Sequence, residues 1–178
     1  MTLGWQLSRV DVQASYGLFV PTGRFHAGAS DNTGAGYWGH LPSAGQTFYL
    51  TKDKKTALSA FEVYEFHATQ KDTDIHPGQT FDIDYSLMRT IMLGGEQKSM
   101  VQVGPAGYGQ YQTTDRSGPG ISPVIAANTR YRVNALGGAA NLILPARKTS
   151  LGVKYFKEFS NSATVQGSSV QISAAITF

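Results

Sequence analysis

The chain has 178 residues, with 15 Lys and Arg against 12 Asp and Glu for a formal charge of +3. Its basic residues are scattered apart from Lys52, Lys54 and Lys55, too weak a pattern for a nucleic-acid partner. Charged residues make up only 15%, well under the roughly 25% of ordinary soluble domains, Gly, Tyr and Phe are abundant, and the lack of Cys excludes disulfides and thiolate metal sites.

In chain order the first clear element is VDVQASYGLFV, residues 10–20. It places Val10, Val12, Ala14, Tyr16, Leu18 and Val20 on one face and Asp11, Gln13, Ser15 and Gly17 on the other, the period of two of a strand. Less regular strands are expected over 35–50 and 55–69. Pro42 in the first implies a bulge or an edge-like break. In the second, Leu58, Ala60, Tyr64 and Phe66 share a face with Glu62, while Phe61 and Val63 share one with Glu65 and His67, so its faces stay unassigned. TFDIDYSL, 80–87, sets Phe81, Ile83, Tyr85 and Leu87 against Asp82, Asp84 and Ser86. The stretch 98–112 is a further strand, with Pro105 implying a second bulge or break. RYRVNA, 130–135, sets Tyr131, Val133 and Ala135 against Arg130, Arg132 and Asn134; LGVKY, 151–155, sets Leu151, Val153 and Tyr155 against Gly152 and Lys154. Finally SSVQISAAITF, 168–178, alternates up to the terminal Phe178. Helical spacing explains none of the alternating stretches.

These segments make about eight strands, many longer than the five or six residues usual in globular proteins and long enough to cross a bilayer at a tilt. The connections fall into two sets. Those at 21–34, 70–78, 113–128 and 161–168 are medium or long, and those at 51–54, 91–98 and 145–149 are short or medium. Short turns on one side and longer loops on the other are the pattern of an outer-membrane barrel. No apolar run reaches the roughly 18 residues of a spanning helix, and MTLGWQLSRVDVQ lacks the basic start and apolar core of a signal peptide. The expected fold is all-β, an antiparallel transmembrane-type β-barrel of about eight strands forming one domain over 1–178.

In hydrocarbon every backbone donor and acceptor must be paired within the protein, so strands cross only as a closed barrel. Outward side chains then meet lipid and inward ones meet water or each other. Val170, Ile172, Ile176, Tyr131, Val133, Ile83 and Tyr85 are expected to face lipid, with Phe178 at the aromatic interface. A soluble barrel alternates too, but its polar face would carry more Lys and Glu than the Ser, Gln, Gly and Asn found here.

The candidate ligand and lumen residues are Asp11, Asp82, Asp84, Arg130, Arg132 and Lys154. Opposite charges taken out of water together are expected to pair, which would plug an eight-stranded interior; further strands before Met1 would instead give a wider, wet lumen. No catalytic residue is expected. There is no GxSxG elbow, GYGQYQ lacks the helix and spacing of a phosphate cradle, and the best Ser–His combination is Ser59 with His67. His26, His40, His67 and His76 lack metal-ligand spacing, so no metal or other cofactor is expected.

The motifs NTGAGYWGHLPSAGQTFYL, TALSAFEVYEF, HPGQTFDIDYSL, VGPAGYGQYQTTD, KYFKEF and VQGSSVQISAAITF occur in that order. Together they resemble the phenol meta-pathway degradation protein family of Gram-negative outer-membrane proteins, from about Val20 to Phe178. The GYGQYQTTD stretch and the spacing from Glu158 to Gly167 are the most specific parts. The resemblance implies an outer-membrane β-barrel that helps small hydrophobic or aromatic compounds across the outer membrane, with membrane lipid as its surroundings. Members of the family are longer, which implies either N-terminal strands that precede Met1 or a short barrel closing with eight. The alternatives are a soluble ligand-binding β-barrel and a barrel-embedded lipid-modifying enzyme.

Overall fold

The computed structural model describes residues 1–94, 99–122 and 130–177. Phe178, with its expected interfacial position, and the connecting stretches 95–98 and 123–129 lie outside the described residues. The described residues form one antiparallel sheet of nine strands in sequence order: β1 (Thr2–Gln6), β2 (Val10–Phe19), β3 (Gly39–Tyr49), β4 (Thr56–His67), β5 (Thr80–Met92), β6 (Met100–Gln112), β7 (Arg132–Leu144), β8 (Thr149–Glu158) and β9 (Ser168–Ile176). All eight expected strands are present. The ninth, β1, is a five-residue strand whose Leu3, Trp5 and following Leu7 are exposed. A single turn of 3-10 helix, Pro145–Arg147, joins β7 to β8. No helix is long and apolar enough to cross a membrane, a statement that leaves strands untouched.

The connections 20–38, 68–79, 113–131 and 159–167 leave one end of the sheet, and 7–9, 50–55, 93–99 and 145–148 leave the other. The long and short sets expected from sequence therefore do lie at opposite ends. Neither proline makes a bulge. β3 keeps one register on both sides of Pro42, with His40 opposite Phe66 and Ser43 opposite Val63. β5 and β6 do the same around Pro105, from Ser86 opposite Ala106 to Arg89 opposite Val103. What each proline produces is a two-residue gap in one ladder, because it has no N–H to donate.

Register fixes the faces. Asp11, Thr47, Ser59, Ser86, Ala106, Gly137, Phe156 and Ser169 follow one another across β2 to β9 on a single face. That face is concave, since residues from β1 through β8 line one cavity. The other face carries Leu18, Phe48, Leu58, Phe66, Leu87, Val103, Leu136, Val153, Tyr155, Val170 and Ile172, all exposed. Ile83, Tyr85, Val170, Ile172 and Ile176 point outward as expected. Tyr131 and Val133 do not. Val133 pairs with Gln110, and Tyr131 accepts a backbone hydrogen bond from Gln112, both opposite inward positions. The alternation of RYRVNA was real, but its apolar side turns in, toward the cluster of Ala135, Tyr108 and Phe156. In β4 the ambiguity resolves with Ser59, Phe61, Val63, Glu65 and His67 inward.

The buried hydrophobic residues among those described are Ala106, Ala135, Ala139 and Phe156. Three of the four are alanines, so the cluster buries little apolar area compared with the outward face. Glycines let the wall bend: a β-carbon on Gly104 would strike the Leu87 carbonyl, and one on Gly137 the Tyr155 carbonyl. Gly137→Ala is expected to destabilise the protein by about 1–3 kcal/mol, because backbone rather than a flexible side chain must give way. Urea unfolding of the folded protein checks this; an unchanged midpoint contradicts it.

Candidate functional site

The concave face encloses a cavity of about 930 Å³ lined mainly by small and polar side chains, among them Gln13, Thr47, Ser59, Ser86, Thr90, Gln102 and Asn141. Small residues arise here because alternation assigns the inward positions of long strands to Ser, Thr, Gly and Gln. Cross-strand hydroxyl pairs knit the wall: Ser15 to Ser43 at 2.6 Å and Thr47 to Ser59 at 3.0 Å. At one side Tyr49 donates to Asp11 at 2.6 Å, and the Lys54 ammonium stands 4.6 Å from the Tyr49 ring centre. At the other, Phe156 meets Tyr108 edge-on at 5.1 Å, and the Tyr108 hydroxyl donates to Glu158 at 2.9 Å.

Of the six candidate residues, Asp11, Asp84 and Lys154 line this cavity, and Asp82 shares their face. Arg130 and Arg132 do not join them. Arg130 lies before β7 and holds Asp115 with two hydrogen bonds of 2.8 and 3.1 Å. That contact holds the Asp115 carboxyl below its usual range. Arg132 sits on the outward face opposite Tyr111, its guanidinium donating to the Ser160 carbonyl at 3.3 Å. The expected charge pairing is thus absent: among the described residues no ion pair links Asp11, Asp82 or Asp84 to a cation. The reason is positional, since one arginine is taken by the loop and the other faces away. Asp82 instead stands opposite Gln110 of β6, and Asp84 is exposed in the concavity. A carboxylate without a counter-ion needs water or another hydrogen-bond donor, and among the described residues ion pairs do not plug the interior.

Ser59 and His67 do not meet. Both face inward on β4, but eight residues of strand separate them, about 26 Å at 3.3 Å per residue. Ser59 bonds Thr47, and His67 bonds Gly78 and Glu65. Sequence reasoning missed the polar network around His67 at the long-loop end, which joins Glu65, Gln79, His76 and Thr80. The signal was the run of inward-compatible polar residues at 65, 67, 79 and 80, obscured by the unassigned faces of β4.

Outward polar groups are satisfied locally. Gln46 donates to Glu62 at 2.9 Å across β3 and β4, and Tyr111 donates to Asn134 at 2.8 Å. Tyr85 and Tyr111 lie over Gly107 and Gly109, where no β-carbon blocks the rings.

A family model described as "Putative MetA-pathway of phenol degradation" matches residues 1–174, nearly the whole chain. No curated protein and no solved structure matches.

Proposed function

We propose, from the premise that the chain belongs to the phenol MetA-pathway degradation family, that it is an outer-membrane barrel wall through which small neutral aromatic compounds pass. The family ties the chain to phenol degradation; passage across a membrane is the further step. The observation that carries it is the inversion of the fold: large apolar side chains stand exposed on the convex face while the concave face is polar and hollow. Water would penalise such an exposed face, whereas hydrocarbon accepts it. The long strands and the segregation of long from short connections support the same reading.

The polar concavity suits the solute. Ser, Thr and Gln hydroxyls and amides offer both donors and acceptors, and the carboxylates of the concave face, Asp11, Glu65, Asp82, Asp84 and Glu158, outnumber Lys154 and the cavity-lining Lys54. The resulting negative field disfavours anions and leaves neutral molecules free to pass. Vesicles whose outer leaflet is lipopolysaccharide, a barrier to hydrophobic solutes, provide the test. With the protein inserted, phenol entry is expected to rise severalfold over protein-free vesicles; an unchanged rate rejects passage. Removing both carboxylates in Asp82→Asn with Asp84→Asn is expected to raise entry of benzoate roughly threefold to tenfold while leaving phenol entry nearly unaltered. Equal changes for the two solutes would show that charge does not govern selection.

A further inference from the structure

The long connection 20–38 folds back at the ends of β3 and β4 and closes a second, smaller chamber of about 390 Å³. Phe19, Leu41 and Tyr37 supply apolar and aromatic walls, and Glu65 and His67 also line it. His67 is only 8% exposed, and each ring nitrogen faces an oxygen: Nδ1 lies 2.8 Å from the Gly78 carbonyl and Nε2 lies 3.2 Å from the Glu65 carboxylate. The Thr80 hydroxyl, itself buried, donates to the same Glu65 oxygen at 3.2 Å. Two partners therefore fix the carboxylate in place. The Tyr37 ring stands 4.9 Å from the His67 ring, tilted by 51°. Burial raises the Tyr37 hydroxyl above its ordinary range, the Glu65 charge pushes it the same way, and Arg116 opposes them with a smaller effect.

We propose that this chamber is a binding site for small neutral aromatic molecules that carry a hydroxyl group, with the ring against Phe19, Leu41 and Tyr37 and the hydroxyl donating to Glu65. The inference rests on the aromatic-passage reading and names the step at which a solute is chosen. The volume lies at the small end of ligand sites, enough for a single substituted ring rather than an extended acyl chain. Aromatic walls favour a ring through edge and face contacts. An ionised carboxylate accepts hydrogen bonds and donates none, so it distinguishes a hydroxyl from a methyl group on the same ring. It also repels a second anion, which sets phenols apart from aromatic carboxylates.

The test uses the full chain in detergent, where no barrier has to be crossed, titrated with phenol, toluene and benzoate at known free aqueous concentrations. Fluorescence of Trp38, next to Tyr37, reports binding in a Trp5→Phe background. Phenol is expected to bind at least about tenfold more tightly than toluene or benzoate. Glu65→Gln, which keeps the side chain's size, is expected to shrink the preference for phenol over benzoate by about tenfold. Leu41→Trp fills the chamber and is expected to abolish phenol binding, followed for this variant by equilibrium dialysis because it adds a tryptophan; heat-modifiable gel mobility shows whether that variant folds. Equal affinity of the unaltered chamber for phenol and toluene overturns the proposal whatever the variants do, and so does phenol binding that survives in folded Leu41→Trp. Phenol entry into vesicles without binding here removes the chamber and keeps passage. Selective binding without entry keeps the chamber and removes passage.

Discussion

Ile172→Arg is expected to cost on the order of 2–4 kcal/mol when the protein is folded into lipid vesicles, while Gln171→Arg next to it costs about 1 kcal/mol or less. The two positions sit at the middle of β9, one on each face. Ile172 is 84% exposed on the convex side, and Gln171 lies opposite inward-facing Lys154. If water surrounded the convex face, an arginine at so exposed a site would be nearly neutral and could even improve solubility. In hydrocarbon the guanidinium must instead be desolvated or drag water inward. Equilibrium folding titrations of both variants decide the matter, and equal costs would reject a lipid-facing wall. Val133, which its sequence pattern places in lipid, belongs with Gln171: Val133→Arg points into the concavity and is expected to be the milder change for environment.

Phe156→Ala is expected to destabilise the fold by about 3–5 kcal/mol. Phe156 is 4% exposed and is the one large side chain in a buried cluster otherwise built of Ala106, Ala135 and Ala139. Alanines cannot grow into the space it would leave, and Tyr108 would lose its edge-on partner. The same substitution opens the main cavity, which Phe156 lines. Faster solute entry together with a lower unfolding midpoint would show that this ring both braces the wall and narrows the interior. A loss well under 2 kcal/mol would mean that the neighbouring side chains collapse into the gap.

Along 10–18, 80–87, 151–155 and 170–176 the faces were legible from residue types alone: these stretches of β2, β5, β8 and β9 turn their large apolar residues outward, and Asp11, Asp82, Asp84 and Lys154 inward, whereas Met88 and Phe156, just beyond two of them, turn inward. β7 misled because its inward positions, Val133 and Ala135, are also apolar. Ala135 packs against Tyr108 and Phe156 and Val133 stands opposite Gln110, cross-strand relations that spacing along one segment does not encode. Arg132 went wrong with them, and Arg130 found its partner in Asp115, which follows β6. β4 was unreadable for a related reason. Glu62 sits on the outward face among Leu58, Ala60, Tyr64 and Phe66, and is tolerated there through Gln46 of the adjacent strand. The His67 network depends on Gln79, Thr80 and Gly78, brought back by the connection 68–79, so only the pairing of β4 with β5 assembles it.

The unbroken register of the sheet also bears on how such a chain can change in length over evolution. Deleting one residue within β5 would swap every position beyond it to the opposite face, sending Asp82 and Asp84 into the convex surface and Ile83 and Tyr85 into the cavity, or would require a compensating shift across neighbouring strands. Single-residue insertions and deletions in the strands are therefore strongly selected against. The connections 20–38 and 113–131 carry no such parity, and residues can be gained or lost there without turning any wall residue over. Because 20–38 also closes the smaller chamber, the lining of that chamber can diverge in length and residue type while the wall stays constant.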